Sequence, residues 1–459
     1  MPILRLREFL PAVEGTVLGP SDELEFSSVS TDTREIEEGA LFVALRGPHH
    51  DGHEYLSEAA KRGALAALVD RTVPPDQVAP LVQIRVLDTL EALQALARFH
   101  GSRSAAIRVG VTGSNGKTTT KELLRAALGE AVIASPRSFN NHIGVPLTLL
   151  RIREDTQHAV VELGTNQPGE IQALARLVRP QIGVITNCTW AHVEKLGNLD
   201  GVIQEKGALI EALPSDGLAV LNADDVSFEA LRERAPCPVI TYGVTRSADL
   251  RAADVHFDLQ SLRFRLAGTE VRVPLGGSHN VSNALAAIAA AEACGRTRTD
   301  AIAGLAGVEQ LPMRMRSLQR GDLLIVDDTY NANPGSMEAA LRTLAAAHPD
   351  RRKLCVLGDM KELGDRAEEL HRAVGREASL LSGGVLVAVG RWASAVAAGA
   401  REAGFDEDRV HVFADAEEAG AGLPALIHQG DAVLVKGSRA MAMERIIDRI
   451  EIAGGVGAA

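Results

Sequence analysis

Cysteine is scarce and unpatterned in this chain. Its 459 residues include four, Cys188, Cys237, Cys294 and Cys355, and none stands in CxxC spacing. That argues against both a zinc ribbon and a disulfide framework. Long apolar runs are missing too. No uninterrupted stretch reaches about 18 residues, so no membrane span is expected. The opening MPILRLREFLPAV lacks the apolar core of a secretory signal. There is no basic excess: the net charge is −12, which argues against a large nucleic-acid surface. Any nucleotide must therefore be held by local cationic pockets. Low-complexity sequence is limited to the closing GGVGAA. What remains is ordinary, 46% hydrophobic and 24% charged. The length suits about three domains of roughly 150 residues, large enough to bury cores without covalent staples. A reducing cytoplasm fits all of these features.

The most informative stretch present is GSNGKTT, Gly113 to Thr119. It follows the apolar run IRVGV and opens a helical pattern, KTTTKELLRAAL. Strand, glycine loop and helix in that order aim several backbone N–H groups at one spot at a helix N-terminus, where an anion is favoured. Gly113, Ser114, Asn115 and Gly116 form the cradle. Lys117 supplies a point charge for the terminal phosphates, Thr118 a hydroxyl for Mg²⁺, and Thr119 continues the turn. The chain should bind a nucleoside triphosphate. Only two residues separate Gly113 from Gly116, where the general P-loop has four, so roles from switch or motor NTPases do not carry over.

The first 85 or so residues alternate short apolar runs with turns, and RTVPPDQVAP reads as a surface loop. TLEALQALARFHGSR is helical and leads into the nucleotide strand. The middle third repeats strand and helix: HAVVELG, GEIQALARLVRP, QIGVITN, GVIQEKGALIEAL, GLAVLNADD. This predicts a mostly parallel sheet covered on both faces. VHFDLQSLRFRLAGTEVRVPLGG then reads as antiparallel edge strands, and HNVSNALAAIAAAEACG as a small-residue helix. Five further strands, LLIVDD, KLCVLGD, VLVAVG, RVHVFAD and DAVLVKGS, predict a second doubly wound sheet. It lacks a GxGxxG fingerprint, so NAD is not indicated. The expected fold is α/β with three domains: 1–87, small and α/β; 88–312, a central P-loop-type sheet; and 313–459, Rossmann-like.

Several polar residues sit where ligands gather in such sheets, after the carboxyl ends of strands. Glu162 ends HAVVELG, where a carboxylate suits a hard Mg²⁺ ion; the alternative is a solvated strand-end glutamate. His192 follows QIGVITN and could meet metal or phosphate, although lone histidines are usually structural. Lys206 lies in a helix, where a bare lysine is ordinarily a solvated charge. Asn280 and Asn283 lie one turn apart at a helix start and could face one ligand; the alternative is simple capping by Ser278 or Asn280. Arg314 and Arg316 stand in a candidate hinge. Asp327 could hold ribose hydroxyls, with Asp328, Asn331 and Asn333 beside it, and Lys436 and Ser438 close the last strand on the same rim. Near the N-terminus, Ser30, Thr31 and Arg34, then Arg46, Asp51, Gly52 and His53, form polar glycine-bearing clusters. These suit a pyrophosphate or uridine, or are ordinary surface turns.

Taken in chain order, these motifs resemble the Mur ligases, ATP-dependent amide-bond formers of peptidoglycan synthesis. The strings are STDTRE, GALFVALRGPHHDGHEY, GVTGSNGKTTTKE, NNHIGVPLTLL, VELGTNQPGEI, TNCTWAHVEKLGNLDGVIQEKGALI, GSHNVSNALAA, DDTYNANPGSM, LGDMKELG and VLVKGSRAMAMER. They run over nearly the whole chain. Within the family they sit nearest the type that adds D-alanyl-D-alanine to UDP-N-acetylmuramoyl-tripeptide. NANP after DDTY differs from the DNPR-like motif common where a single amino acid is added. The resemblance implies ATP, two Mg²⁺ ions and an acyl-phosphate intermediate. It implies metal roles for Thr118, Glu162 and His192, and a carbamylated Lys206. Asn280, Asn283 and Asp327 become nucleotide contacts, and Arg316 the hinge arginine, with Arg314 as competitor. The N-terminal clusters would hold the UDP-sugar, and Asp328, Asn331 and Asn333 would lie on the acceptor side. No heptad or large apolar patch suggests obligate assembly, so a monomer is expected. The competing readings are another amide ligase of similar architecture, either one that adds a single amino acid or a folylpolyglutamate synthase, a P-loop ATPase of another class, and a non-catalytic nucleotide- or UDP-sugar-binding module. The STDTR segment argues against the folate enzyme, the short loop with Glu162 against another ATPase, and the intact Lys117, Thr118, Glu162 and His192 set against a non-catalytic module.

Overall fold

The computed structural model describes residues 3–19, 23–381 and 383–455, without side chains for 451–455. The last four residues of the GGVGAA tail lie outside the described ones. The chain forms two compact units, one of Met1–Val111, Gly129–Thr165 and Ile171–Ile182, the other of Thr112–Leu128, Asn166–Glu170 and Gly183–Ala459.

In the first unit Ala40–Val43 and Ala66–Val69 are apolar throughout and buried along their length. Continuous apolar runs of this kind suit strands covered on both faces. They pair in parallel with each other and with Ser28–Ser30 and Val82–Arg85; Thr16–Leu18 adds an antiparallel edge. Phe42, Leu56, Ala67 and Val69 form the core below. RTVPPDQVAP, expected as loop, holds a short helix, Pro75–Val78. Proline is tolerated in a first helical turn because its missing N–H would have no partner there. Helix Thr89–Ser102 is capped by Asp88, whose carboxylate accepts from the N–H groups of Leu90 and Glu91, an interaction worth about 1 kcal/mol. Strand Ile107–Thr112 then runs parallel to His158–Glu162, which pairs on its other side with Val132–Ala134.

In the second unit, strands Ile182–Ile185, Leu218–Asn222, Val239–Gly243 and Leu250–Phe257 follow one another in sheet order. Leu262–Leu266 and Thr269–Val273 complete the edge antiparallel, as expected. Helix His279–Ala293 is alanine-rich and almost entirely buried. It packs on helix Lys117–Leu128, which places the Asn280–Asn283 turn beside the phosphate loop.

The C-terminal sheet has six strands among the described residues, one more than expected. Its order is Arg316–Arg320, Leu323–Asp328, Ala432–Lys436, Lys353–Gly358, Val385–Val389, Val410–Phe413. The extra strand, Arg316–Arg320, is antiparallel to Leu323–Asp328. RSLQR is polar and mostly exposed, so no apolar run marks it in the sequence. Ile325, Val356, Val387 and Val435 belong to one core beneath this sheet. The last strand in sequence lies between the first two parallel ones, so strand order reverses there. Such reversals open a crevice at strand carboxyl ends.

Candidate active site

The phosphate loop is built by backbone and side chains together. Gly113 has φ +151°, and a Cβ there would lie 1.8 Å from the Thr186 hydroxyl. Gly116 has φ +80°, and a Cβ would lie 2.3 Å from Asn283 Oδ1. Both positions therefore require glycine. The segment after strand Ile182–Ile185 braces the loop. Ser114 N–H donates to the Asn187 carbonyl (2.9 Å) and Asn115 N–H to Asn187 Oδ1 (3.0 Å). Thr186 Oγ1 donates to the Asn115 carbonyl at 2.5 Å, and Ser114 Oγ to the Thr189 carbonyl at 3.1 Å. Helix Lys117–Leu128 starts here, so its first N–H groups face the loop. Lys117 Nζ donates back to the Gly113 (2.8 Å) and Ser114 (3.3 Å) carbonyls. Thr118 and Thr119 are buried.

Asn280 and Asn283 support this loop. Asn280 Nδ2 donates to the Gly276 carbonyl (2.7 Å), Asn283 Nδ2 to Asn280 Oδ1 (2.8 Å), and Thr120 Oγ1 to Asn283 Oδ1 (3.3 Å). Helix capping, the alternative role, is absent: Ser278 stands at the N-cap and makes no side-chain cap bond.

Lys206 is 1% exposed. Burial, and next the nearby charge of Lys117, push its ammonium from the ordinary 10.5 down to about 7. A helical lysine expected on bare statistics to be solvated is thus an inward-facing amine whose charged form burial disfavours. Its neighbours include Glu205, whose carboxylate accepts from Gly169 N–H at 2.6 Å, and Cys188, whose thiol burial raises to about 11. All four cysteines are free.

His192 stands in left-handed backbone, φ 57°, at the start of the turn Val193–Leu196. Its Nδ1 hydrogen-bonds the Glu362 carboxylate, and that bond holds Glu362 below the usual carboxylate range. In the first unit Glu162 is buried at its strand end and accepts from Asn140 Nδ2 at 2.8 Å. A Cβ on Gly164 would lie 2.6 Å from Asn140, so a glycine admits the amide that orients Glu162. In the sequence Asn140 is marked only by the NNHIG string.

Among the described residues, no group of three or more His, Cys, Asp or Glu is gathered to hold a metal. Mg²⁺ needs no such cage. It keeps waters and phosphate oxygens and takes only one or two carboxylates. The hydroxyl of buried Thr118 and the imidazole of partly exposed His192, and in the first unit the carboxylate of buried Glu162, are each of the donor chemistry it takes.

On the C-terminal rim Asp327 is buried, and burial raises its carboxyl above the usual range. Thr329 donates to it from both Oγ1 (2.6 Å) and N–H (3.2 Å). Asp328 pairs with buried Lys436 at 2.6 Å, and Lys436 also donates to the Asn331 carbonyl (3.0 Å). Asn333 caps helix Pro334–Ala346 in a capping box. Its Nδ2 donates to Asn115 Oδ1 at 2.7 Å, and Asn115 Nδ2 donates back at 3.2 Å. Ser438 Oγ accepts from Lys361 N–H at 2.9 Å. Arg316 opens strand Arg316–Arg320 opposite Asp327 instead of lying in a hinge loop; Arg314 lies 3.9 Å over the Tyr330 ring.

The N-terminal residues form two clusters. Ser30 Oγ donates to the Asp32 carbonyl, and Asp32 caps the turn Thr33–Glu35 while pairing with exposed Arg34; Thr31 lies between. In the second cluster, buried His53 sits between Asp51 and Asp70, and Arg46 pairs with Asp70 at 2.7 Å. A Cβ on Gly52 would lie 2.8 Å from the Ala44 backbone.

Three family matches cover most of the chain: the Mur ligase family catalytic domain over residues 25–100, the Mur ligase middle domain over 111–291, and the Mur ligase glutamate ligase domain over 313–439. A relative from Bacillus subtilis (strain 168), named UDP-N-acetylmuramoyl-tripeptide--D-alanyl-D-alanine ligase, is 37% identical over 448 residues, covering 96% of this chain and 96% of its own. A crystal structure of MurF from Acinetobacter baumannii superposes with TM-score 0.88 at 33% identity, covering 98% of this chain and 100% of that one. MurF ligase from Thermotoga maritima in complex with ADP gives TM-score 0.80 at 28% identity, covering 94% and 98%.

Proposed function

The chain belongs to the Mur ligase family, and we propose from that premise that it joins D-alanyl-D-alanine to UDP-N-acetylmuramoyl-tripeptide at the expense of ATP. The observation that carries this is the match of a relative so named over 96% of both chains, together with an intact phosphate loop ending in Lys117. In the reaction, a terminal carboxylate oxygen of the tripeptide attacks the γ-phosphorus, and the bond to the β-bridging oxygen breaks, releasing ADP. The amine of D-alanyl-D-alanine then attacks the activated carbonyl carbon. The carbon–oxygen bond to phosphate breaks, the ammonium proton is lost, and inorganic phosphate leaves. Phosphoryl transfer of this kind depends on positioning and charge stabilisation. The Gly113–Thr119 backbone cradles the phosphates and Lys117 moves from the loop carbonyls onto them. Thr118, Glu162 and His192 would each supply a ligand to Mg²⁺, which would screen phosphate charge. Two ions are proposed, with a carbamate on Lys206 as a further oxygen donor; its depressed basicity supports this, because only a neutral amine adds CO₂.

The remaining roles rest on the likeness to the family. Asn280, Asn283, Arg316 and Asp327 serve the nucleotide, with Arg314 the competitor for the arginine role. Asp328, Asn331 and Asn333 face the acceptor, and Ser30, Thr31, Arg34, Arg46, Asp51, Gly52 and His53 hold the UDP-sugar. Domains of 1–87, 88–312 and 313–459 divide these tasks in a monomer. No described helix is long and apolar enough to cross a membrane, and use of ATP and a nucleotide-linked sugar suits the cytoplasm. The test is ADP and phosphate release with UDP-N-acetylmuramoyl-tripeptide, with and without D-alanyl-D-alanine. Sustained turnover should need both substrates. Equal ATP hydrolysis without either would refute the assignment.

A further inference from the structure

The loop after strand Lys353–Gly358 meets the segment around His192 at several points. The Glu362 carboxylate bonds His192 Nδ1. Glu194 N–H donates to the Glu362 carbonyl at 3.1 Å. The Arg366 guanidinium lies 4.1 Å over the Trp190 ring. His192 and Glu362 both occupy left-handed backbone, φ 57° and 64°, which costs side-chain-bearing residues about 1 kcal/mol or more each. Two strained residues facing each other, held by contacts on both sides, mark an orientation the fold maintains. An anion on Nδ1 keeps the ring proton there and leaves the Nε2 lone pair pointing away from the carboxylate. Histidines that bind metals are commonly oriented and made more basic by such a carboxylate partner.

We propose that Glu362 is a positioning residue that fixes the tautomer and direction of His192 toward the metal, so that the C-terminal domain completes the outer shell of the central domain's metal site. This rests on the reading of His192 as a metal ligand. Glu362 is half exposed, so its replacement should leave the fold intact, as circular dichroism would check.

The probe is Mn²⁺ affinity in the presence of ADP, read by electron paramagnetic resonance. Glu362→Ala should weaken Mn²⁺ binding about tenfold or more. Glu362→Gln should fall between, because its amide oxygen still accepts the ring proton but carries no charge. In turnover, the Mg²⁺ requirement should rise by a similar factor while KM for D-alanyl-D-alanine stays put. A contact that only docks the domain would lower stability without moving Mn²⁺ affinity. His192→Ala separates the two ideas. If it weakens Mn²⁺ binding and Glu362→Ala does not, the positioning role is overturned. If His192→Ala binds Mn²⁺ like the wild type, the metal reading itself falls.

Discussion

Replacing Lys206 by Met should stabilise this protein at neutral pH while removing its activity. Met has a similar length and no charge, so it fills the buried space without a desolvation cost. The drop of the Lys206 ammonium from 10.5 to about 7, at about 1.4 kcal/mol per pH unit, penalises the charged form by about 5 kcal/mol. At pH 7 part of that is relieved by losing the proton, leaving a cost of at most about 4 kcal/mol. The sign follows from proton counts. Between about pH 7 and 10.5 the unfolded chain binds a proton at Lys206 that the folded chain does not, so wild-type stability rises with pH across that window. Below pH 7 both states are protonated and the penalty is constant. The advantage of Lys206→Met should therefore be largest at pH 6 to 7, fall to about 2 kcal/mol at pH 9, and nearly vanish above 10.5. Urea unfolding of both proteins across pH 6 to 10, in buffers stripped of CO₂, measures this directly. A difference that does not change with pH would refute the buried-amine argument. On the activity side, Lys206→Ala should be inactive and partly rescued by a short carboxylate such as acetate, which supplies the missing oxygen donor; full activity without rescue would remove Lys206 from the site.

Three other perturbations test separate parts. Lys117→Ala removes the charge proposed to meet the phosphates and should lower kcat about a hundredfold or more; near-normal ligation would contradict its role. Gly116→Ala combines a positive φ with a Cβ 2.3 Å from Asn283 Oδ1 and should abolish ATP binding in calorimetry while circular dichroism stays native. Asn333→Ala deletes both a capping box and the amide pair with Asn115, and should cost about 1–2 kcal/mol by urea unfolding; no loss would show that water replaces both contacts.

Local pattern made much of this legible in the sequence. The glycine loop, the strands that carry Glu162, Asp327 and Lys436, and the antiparallel edge all announce themselves through apolar runs, turns and spacing. Strand Arg316–Arg320 does not, because edge pairing needs backbone and not apolar side chains; the arginine expected in a hinge is consequently in a sheet. The state of Lys206 was also hidden: burial arises from packing of distant segments, and a helix pattern cannot say which face turns inward. The same holds for Asn140 on Glu162 and Glu362 on His192, pairs separated by 22 and 170 positions. Asn280 and Asn283 were legible as a face, but not their use as struts beneath Gly116.

The central claim is that ATP activates the tripeptide carboxyl group by phosphorylating it, and isotope tracing tests that most directly. UDP-N-acetylmuramoyl-tripeptide labelled with ¹⁸O in its terminal carboxylate is turned over with ATP and D-alanyl-D-alanine, and the released phosphate is weighed by mass spectrometry. One labelled oxygen should appear in each phosphate, because the carbon–oxygen bond breaks after the phosphoryl group has been attached. Phosphate without label, its one new oxygen taken from water, with amide formed all the same, would contradict the account.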